Sequence, residues 1–127
     1  FFTFWFRFIY KYNYILEIEG YDKVIKIIER DYETYTGLML ERYFKQVLIA
    51  EQEYTRIGGW WDRKGENEID MIAENELDDK AVFFEVKRKA ENIDLDVLKA
   101  KAQAFLKITG EFKDYDIAYK GLSMADM

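Results

Sequence analysis

AVFFEVKR, residues 81–88, decides the fold of this chain. Val82, Phe83, Phe84 and Val86 are β-branched or aromatic, and neither glycine nor proline interrupts them. Such residues fit a pleated, covered surface. A nearly continuous apolar run of this length predicts an interior strand with both faces packed. Side chains along a strand alternate between faces, so Glu85 and Lys87 are expected to leave the same face, together with Phe83 and Lys89. Burying two charged groups without partners is costly, which requires a compensating group nearby.

Reading backwards, residues 67–74 alternate as well. Ile69, Met71 and Ala73 are expected to point one way, and Glu68, Asp70 and Ile72 the other. The polar turn Asn75 to Lys80 should fold this strand onto the next as a hairpin, setting Asp70 beside Glu85. Two close carboxylates repel, and one keeps its proton unless a cation intervenes. Mg²⁺ or Mn²⁺ would resolve the conflict, since such ions take oxygen ligands, retain waters and activate a bound water. Lys87 would then orient the attacking water or hold a phosphate oxygen. Residues 54–61 read as a first strand, followed by a turn from Asp62 to Gly65. Its Trp60 and Trp61 are expected in a core or an interface, with base stacking as the alternative.

Reading forwards, Asp94 and Asp96 open a helix that runs to about Ile108, with Leu95, Leu98, Ala102 and Phe105 inward and Gly110 closing it. Residues 115–120 form a last strand. Upstream, residues 2–18 read as an aromatic helix ended by Gly20, and residues 21–32 as a second helix. Thr34 or Thr36 is expected to cap a third helix reaching residue 52, with a stripe of Leu40, Phe44, Val47 and Leu48 and with Glu41 at its edge. The expected fold class is α/β (α+β): N-terminal helices followed by an α-β-β-β-α-β core with a mixed sheet. Residues 1–33 would be an aromatic-rich helical arm making an interdomain or dimer contact, and residues 34–127 the core.

Composition narrows the chemistry. Half of the 127 residues are hydrophobic and 18% are aromatic, enough for a packed core. There is no cysteine and no histidine. Disulfides, thiolate nucleophiles, Cys/His zinc sites and Ser-His-Asp triads are thereby excluded. Catalysis is left to carboxylates, lysine, tyrosine or a hard cation. The net charge is −6, and neither the first 55 residues nor the remainder is basic, which counts against broad binding to nucleic-acid phosphates. The apolar opening FFTFWFRFIY is broken by Arg7 and is too short to span a bilayer. No membrane contact and a cytoplasmic location are expected, and a start without methionine reads as a piece of a longer protein.

Asp70 followed by Glu85-Val86-Lys87, on adjacent strands of an α-β-β-β-α-β core, resembles the PD-(D/E)xK phosphodiesterase superfamily, the restriction-endonuclease-like nucleases. Ile69 stands where the proline of that motif would be. The resemblance implies that Asp70 and Glu85 bind metal with help from the Val86 carbonyl, and that Lys87 assists the nucleophile. It further implies that Glu41 completes the site from the first core helix and that Gln103 fills a less regular polar position. Glu68 is an accessory candidate on the face of Asp70.

A closer resemblance rests on GGWWDRKGENEIDMIA (58–73) and FFEVKRK (83–89), with FWFRFIY and TYTGLMLERYF in support. These segments are similar to the C-terminal domain of archaeal-type ATPases also found in bacteria. The family implies a preceding P-loop ATPase and winged-helix part as partner within one protein; DNA is the expected substrate of the nuclease-type core. No GxxxxGK[ST] occurs here, so no ATP site is carried by these residues. The implied activity is Mg²⁺-dependent DNA cleavage. Its alternative is a catalytically inactive nuclease-like module that binds nucleic acid or assembles the ATPase, and homo-oligomerisation is a third expectation.

Overall fold

The computed structural model describes residues 2–127. Short helices come first: α1 (Phe2–Phe4), a π-helical turn (Trp5–Tyr10) and α2 (Asn13–Glu17). The long helix α3 (Tyr21–Glu51) follows, then strands β1 (Arg56–Trp61), β2 (Glu68–Asn75) and β3 (Lys80–Val86), helix α4 (Leu95–Ile108) and strand β4 (Asp116–Leu122). The chain divides into two compact units, Phe1–Thr36 and Gly37–Met127.

Two helical expectations are corrected. Residues 2–18 do not form one helix, because the i→i+4 pattern slips to a π-turn at Trp5–Tyr10 and the chain turns again at residues 11–12. No cap stands at Thr34 or Thr36 either, since α3 passes through both. The Thr36 hydroxyl instead donates to the Tyr32 carbonyl at 2.9 Å, a bond available only inside a helix. In the first unit the chain doubles back, so that Phe4 and Phe8 pack against Tyr35 at centroid distances of 5.9 and 5.4 Å.

The second unit is a mixed α+β layer structure. Its sheet has the order β1-β2-β3-β4, with β1/β2 and β2/β3 antiparallel and β3/β4 parallel. A parallel neighbour needs a crossover, and α4 supplies it. Each face of the sheet carries one apolar cluster. Leu40, Phe44 and Leu48 of α3 meet Met71, Ala73, Phe84 and Val86. On the other face Leu98 and Ala102 of α4 meet Ile69, Ile72, Ala81, Phe83 and Phe112. Covering both faces accounts for the nearly unbroken burial of β3. Val47 and Leu95, expected inward, lie at the partly exposed margin.

Strict alternation fails in β2. Ile69 joins Ile72 in the α4-side cluster, whereas Met71 and Ala73 join the α3-side cluster. The cause is a β-bulge. Gly58 pairs with Ile72 and Trp60 with Ile69, so Gly59 alone faces both Asp70 and Met71. A Cβ on Gly59 would lie 3.2 Å from the Asp70 carbonyl oxygen and 3.3 Å from that of Ile69. The glycine is what lets the two backbones approach.

Candidate functional site

The bulge places Asp70 at the point where the β2/β3 ladder ends. The last rung joins Met71 to Phe84, so Asp70 and Glu85 are the first residues beyond it. There the ladder continues through a side chain: Val86 N–H donates to Asp70 Oδ2 at 2.8 Å. Burial raises the Asp70 pKa, the Val86 N–H opposes this, Glu68 raises it further, and Lys87 and Lys101 pull it down. Asp70 is partly buried, and Glu68 and Lys87 are exposed.

Glu41 approaches from α3, one turn before Phe44. Its pKa rises from 4.5 to about 7, first through burial, then through repulsion by Asp70 and Glu68, with Lys87 acting in the opposite sense. The structure therefore brings Glu41, Glu68, Asp70 and Lys87 within electrostatic reach of one another. Lys87 follows the last residue of β3. Its backbone N–H is held by the Leu122 carbonyl at 3.0 Å, while its side chain acts on Glu41 and Asp70.

Glu85 is only 7% exposed. Its carboxylate turns toward α4, where Oε2 accepts the Asp94 N–H at 2.9 Å. Asp94 in turn caps α4 by accepting from Asp96 N–H at 3.0 Å and Val97 N–H at 3.3 Å. Glu85 and Asp70 are thus the first two positions beyond the ladder, and their carboxylates use different backbone donors rather than each other. Gly121 pairs with Glu85 on β4, and the Ile93 side chain occupies the space that a Gly121 Cβ would need. That close packing fixes the approach to Asp94. Gln103 is exposed on α4.

Sequence reading missed two contributors. Lys101, on α4, acts on Asp70; its place beside the buried Ala102 is the signal for a residue at the edge of the packed face. Gly59 fixes the bulge, and a glycine pair inside a strand is the usual sign of one. Trp60 and Trp61 separate: Trp60 packs on Phe105 at 5.3 Å, while Trp61 is 71% exposed.

Among the described residues no three acidic side chains converge closely enough to form a preformed metal cage. The donor set is nevertheless of the type a hard cation takes, namely carboxylate oxygens whose mutual repulsion a positive charge would relieve. No described helix is long and apolar enough to cross a membrane.

Comparison with known proteins gives three findings. No solved structure matches the chain. An uncharacterized protein of Methanocaldococcus jannaschii, MJECL04, is 40% identical over 96 residues, covering 70% of this chain and 21% of the relative. The chain therefore spans about a fifth of the length of that relative. Residues 5–103 match the model of the DUF234 family, described as archaea bacterial proteins of unknown function, and the chain belongs to that family.

Proposed function

We propose that residues 37–127 form a divalent-cation-dependent phosphodiesterase module of the PD-(D/E)xK type, acting on DNA as the C-terminal part of a larger P-loop ATPase. The observation that carries this reading is the electrostatic coupling of Glu41 on α3 to Asp70, Glu68 and Lys87, beside the Val86 N–H bond that fixes one Asp70 oxygen. A Mg²⁺ or Mn²⁺ ion would be held by Asp70 and Glu41, while Glu85 is engaged by the Asp94 N–H. When bound, such an ion supplies charge for a phosphate and lowers the pKa of a water.

The chain's own groups have separable tasks. The Val86 N–H fixes one Asp70 oxygen and so orients the other. Lys87, exposed beside two carboxylates, is placed to bind a phosphate oxygen as a point charge. Lys101 adds a second cation from α4. Glu41, raised to a pKa of about 7 by burial and the neighbouring carboxylates, would release its proton on binding the ion. Glu85 acts as a positioning residue by holding the start of α4.

The test is cleavage of linear, nicked and single-stranded DNA with Mg²⁺ or Mn²⁺. Wild-type chain should cut, and Asp70→Ala and Lys87→Ala should lose activity by at least about 10²-fold with unchanged circular dichroism. Equal cleavage by both variants would refute the assignment. A second reading, a non-catalytic nuclease-like module that binds nucleic acid or assembles the ATPase, is favoured by the engagement of Glu85 with the Asp94 N–H. Under that reading neither ion changes the thermal stability and no DNA form is cut.

A further inference from the structure

Trp61 and its neighbour Trp60 stand on opposite faces of the sheet. Trp60 packs on Phe105 of α4 at 5.3 Å, so alternation turns Trp61 to the α3 side, where it is 71% exposed. Its partner across the β1/β2 ladder is Glu68. Directly opposed residues project from one face with Cβ atoms about 5 Å apart. Glu68 in turn acts on Asp70 and on Glu41 of α3. An exposed indole thus borders the carboxylates of the candidate site, on their side of the sheet. The turn that follows presents two cations. Asp62 uses both carboxylate oxygens inside it: Oδ1 accepts the Glu66 N–H at 2.8 Å, and Oδ2 accepts the Asn67 N–H at 3.2 Å and the Asn67 side-chain amide at 3.0 Å. Gly65, at φ +69°, supplies the left-handed residue. Arg63 and Lys64 are left exposed, and among the described residues neither forms an ion pair.

We propose, resting on the phosphodiesterase reading above, that Trp61 is the platform on which the site receives an unpaired base of single-stranded DNA, with Arg63 and Lys64 on the adjoining phosphates. Charge decides the form of the strand. Arg63 and Lys64 stand among Asp62, Glu66 and Glu68, and the whole chain carries −6. Binding a duplex through its backbone relies on neutralising many phosphates, which two cations in an acidic surrounding do not do. Stacking needs no net charge, and each stacked base is worth about fivefold or more in affinity. Bases inside a duplex are already stacked on both faces, whereas an unpaired base is free to lie on an indole. The placement also fits the chemistry. Glu68 and Asp70 are two residues apart on β2, about 7 Å along the strand, so a nucleotide seated on Trp61 delivers its neighbouring phosphodiester toward Asp70. An apolar protein contact would cover the indole alone and leave both cations unused.

Fluorescence anisotropy of the 127-residue chain tests this, with a short labelled oligonucleotide, single-stranded or annealed to its complement, and Ca²⁺ in place of Mg²⁺ to suppress cleavage. Wild type should hold the single strand more tightly than the duplex. Trp61→Ala should weaken that binding at least about fivefold, and Trp61→Phe, which keeps a ring, should recover most of it. Arg63→Gln/Lys64→Gln should reduce the slope of log affinity against log salt by about 1. Single-strand binding that is unchanged in Trp61→Ala, or absent from wild type, overturns the proposal and assigns the indole to a protein contact. A preference for the duplex overturns the single-strand assignment. Cleavage with Mn²⁺ separates the platform from the site it serves. A chain that cuts with the same KM after Trp61→Ala keeps the phosphodiesterase reading and loses the platform. A chain that binds through Trp61 yet cuts no DNA keeps the platform and loses the phosphodiesterase reading.

Discussion

Asp70 closes the β2/β3 ladder with its side chain: Oδ2 takes the Val86 N–H at 2.8 Å just where backbone pairing stops. One carboxylate oxygen therefore has a structural task, and the second is left oriented by it. The two tasks can be separated by substitution.

Asp70→Asn retains an oxygen that can accept the Val86 N–H, whereas Asp70→Ala leaves that partly buried donor without it. Asp70→Ala should cost about 1–3 kcal/mol, read as a lowered midpoint in urea unfolding without divalent ions. Asp70→Asn should cost clearly less and still abolish any stabilisation by Mn²⁺. Equal destabilisation by both variants would show that the hydrogen bond contributes nothing.

Glu41 gives the fold a pH dependence. Its folded pKa of about 7 exceeds its ordinary 4.5, so between these values the folded chain holds a proton that the unfolded chain has released. Stability from this group is full below about pH 4.5, falls as pH rises through 7, and is level above. After allowance for solvent screening the loss is on the order of 1–2 kcal/mol. Glu41→Gln should remove this slope and be the more stable protein at pH 8 in metal-free buffer. The difference between wild type and variant, measured by denaturation at several pH values, isolates the group; a constant difference across the range would rule out the shift.

The bulge depends on Gly59. Its missing Cβ leaves room for two β2 carbonyls that cannot move without unpairing the strand. Gly59→Ala is expected to cost about 1–3 kcal/mol, as overpacking does elsewhere, and to disturb Asp70 with it. Gly58→Ala makes a matched control, since a Cβ there meets nothing within 4 Å. The two variants should differ in unfolding midpoint, with Gly58→Ala near wild type.

Arg56 clamps the far end of the sheet, bonding Glu74 at 3.0 Å and Glu111 at 2.6 Å. The Glu74 side chain is only 8% exposed, so losing its cation leaves a buried carboxylate without its ion-pair partner. Arg56→Met should destabilise by about 1–2 kcal/mol, less than a fully buried pair because Arg56 itself is half exposed. Glu111→Gln, at the exposed end, should be close to neutral. Chemical unfolding of the two variants side by side decides between a clamp and an ornament of the surface.

Much of the core was legible because its periodicities are strong. AVFFEVKR marks a doubly covered strand, Asp94 marks the start of α4, and the order α-β-β-β-α-β follows from the sequence of elements. The bulge was not legible, since Gly58-Gly59 announces an irregularity without saying which β2 residue it doubles. That single slip moves Ile69 across the sheet and defeats an alternation argument. The π-turn at Trp5–Tyr10 is invisible for a similar reason: the side chains suit a helix of either pitch. Glu85 was readable as a charge in an apolar strand, but its bond to Asp94 spans a loop whose path depends on Ile93 seating over Gly121. Glu41 at the edge of its stripe could be placed from helical spacing alone.

The central claim is that Asp70 and Glu41 share a divalent cation. Isothermal titration of the chain with Mn²⁺ at pH 8, beside Asp70→Asn and Glu41→Gln, tests it most directly. The account predicts saturable binding at one site, lost in Asp70→Asn and weakened at least tenfold in Glu41→Gln. Binding that is unchanged in both variants, or absent from the wild-type chain, would contradict it.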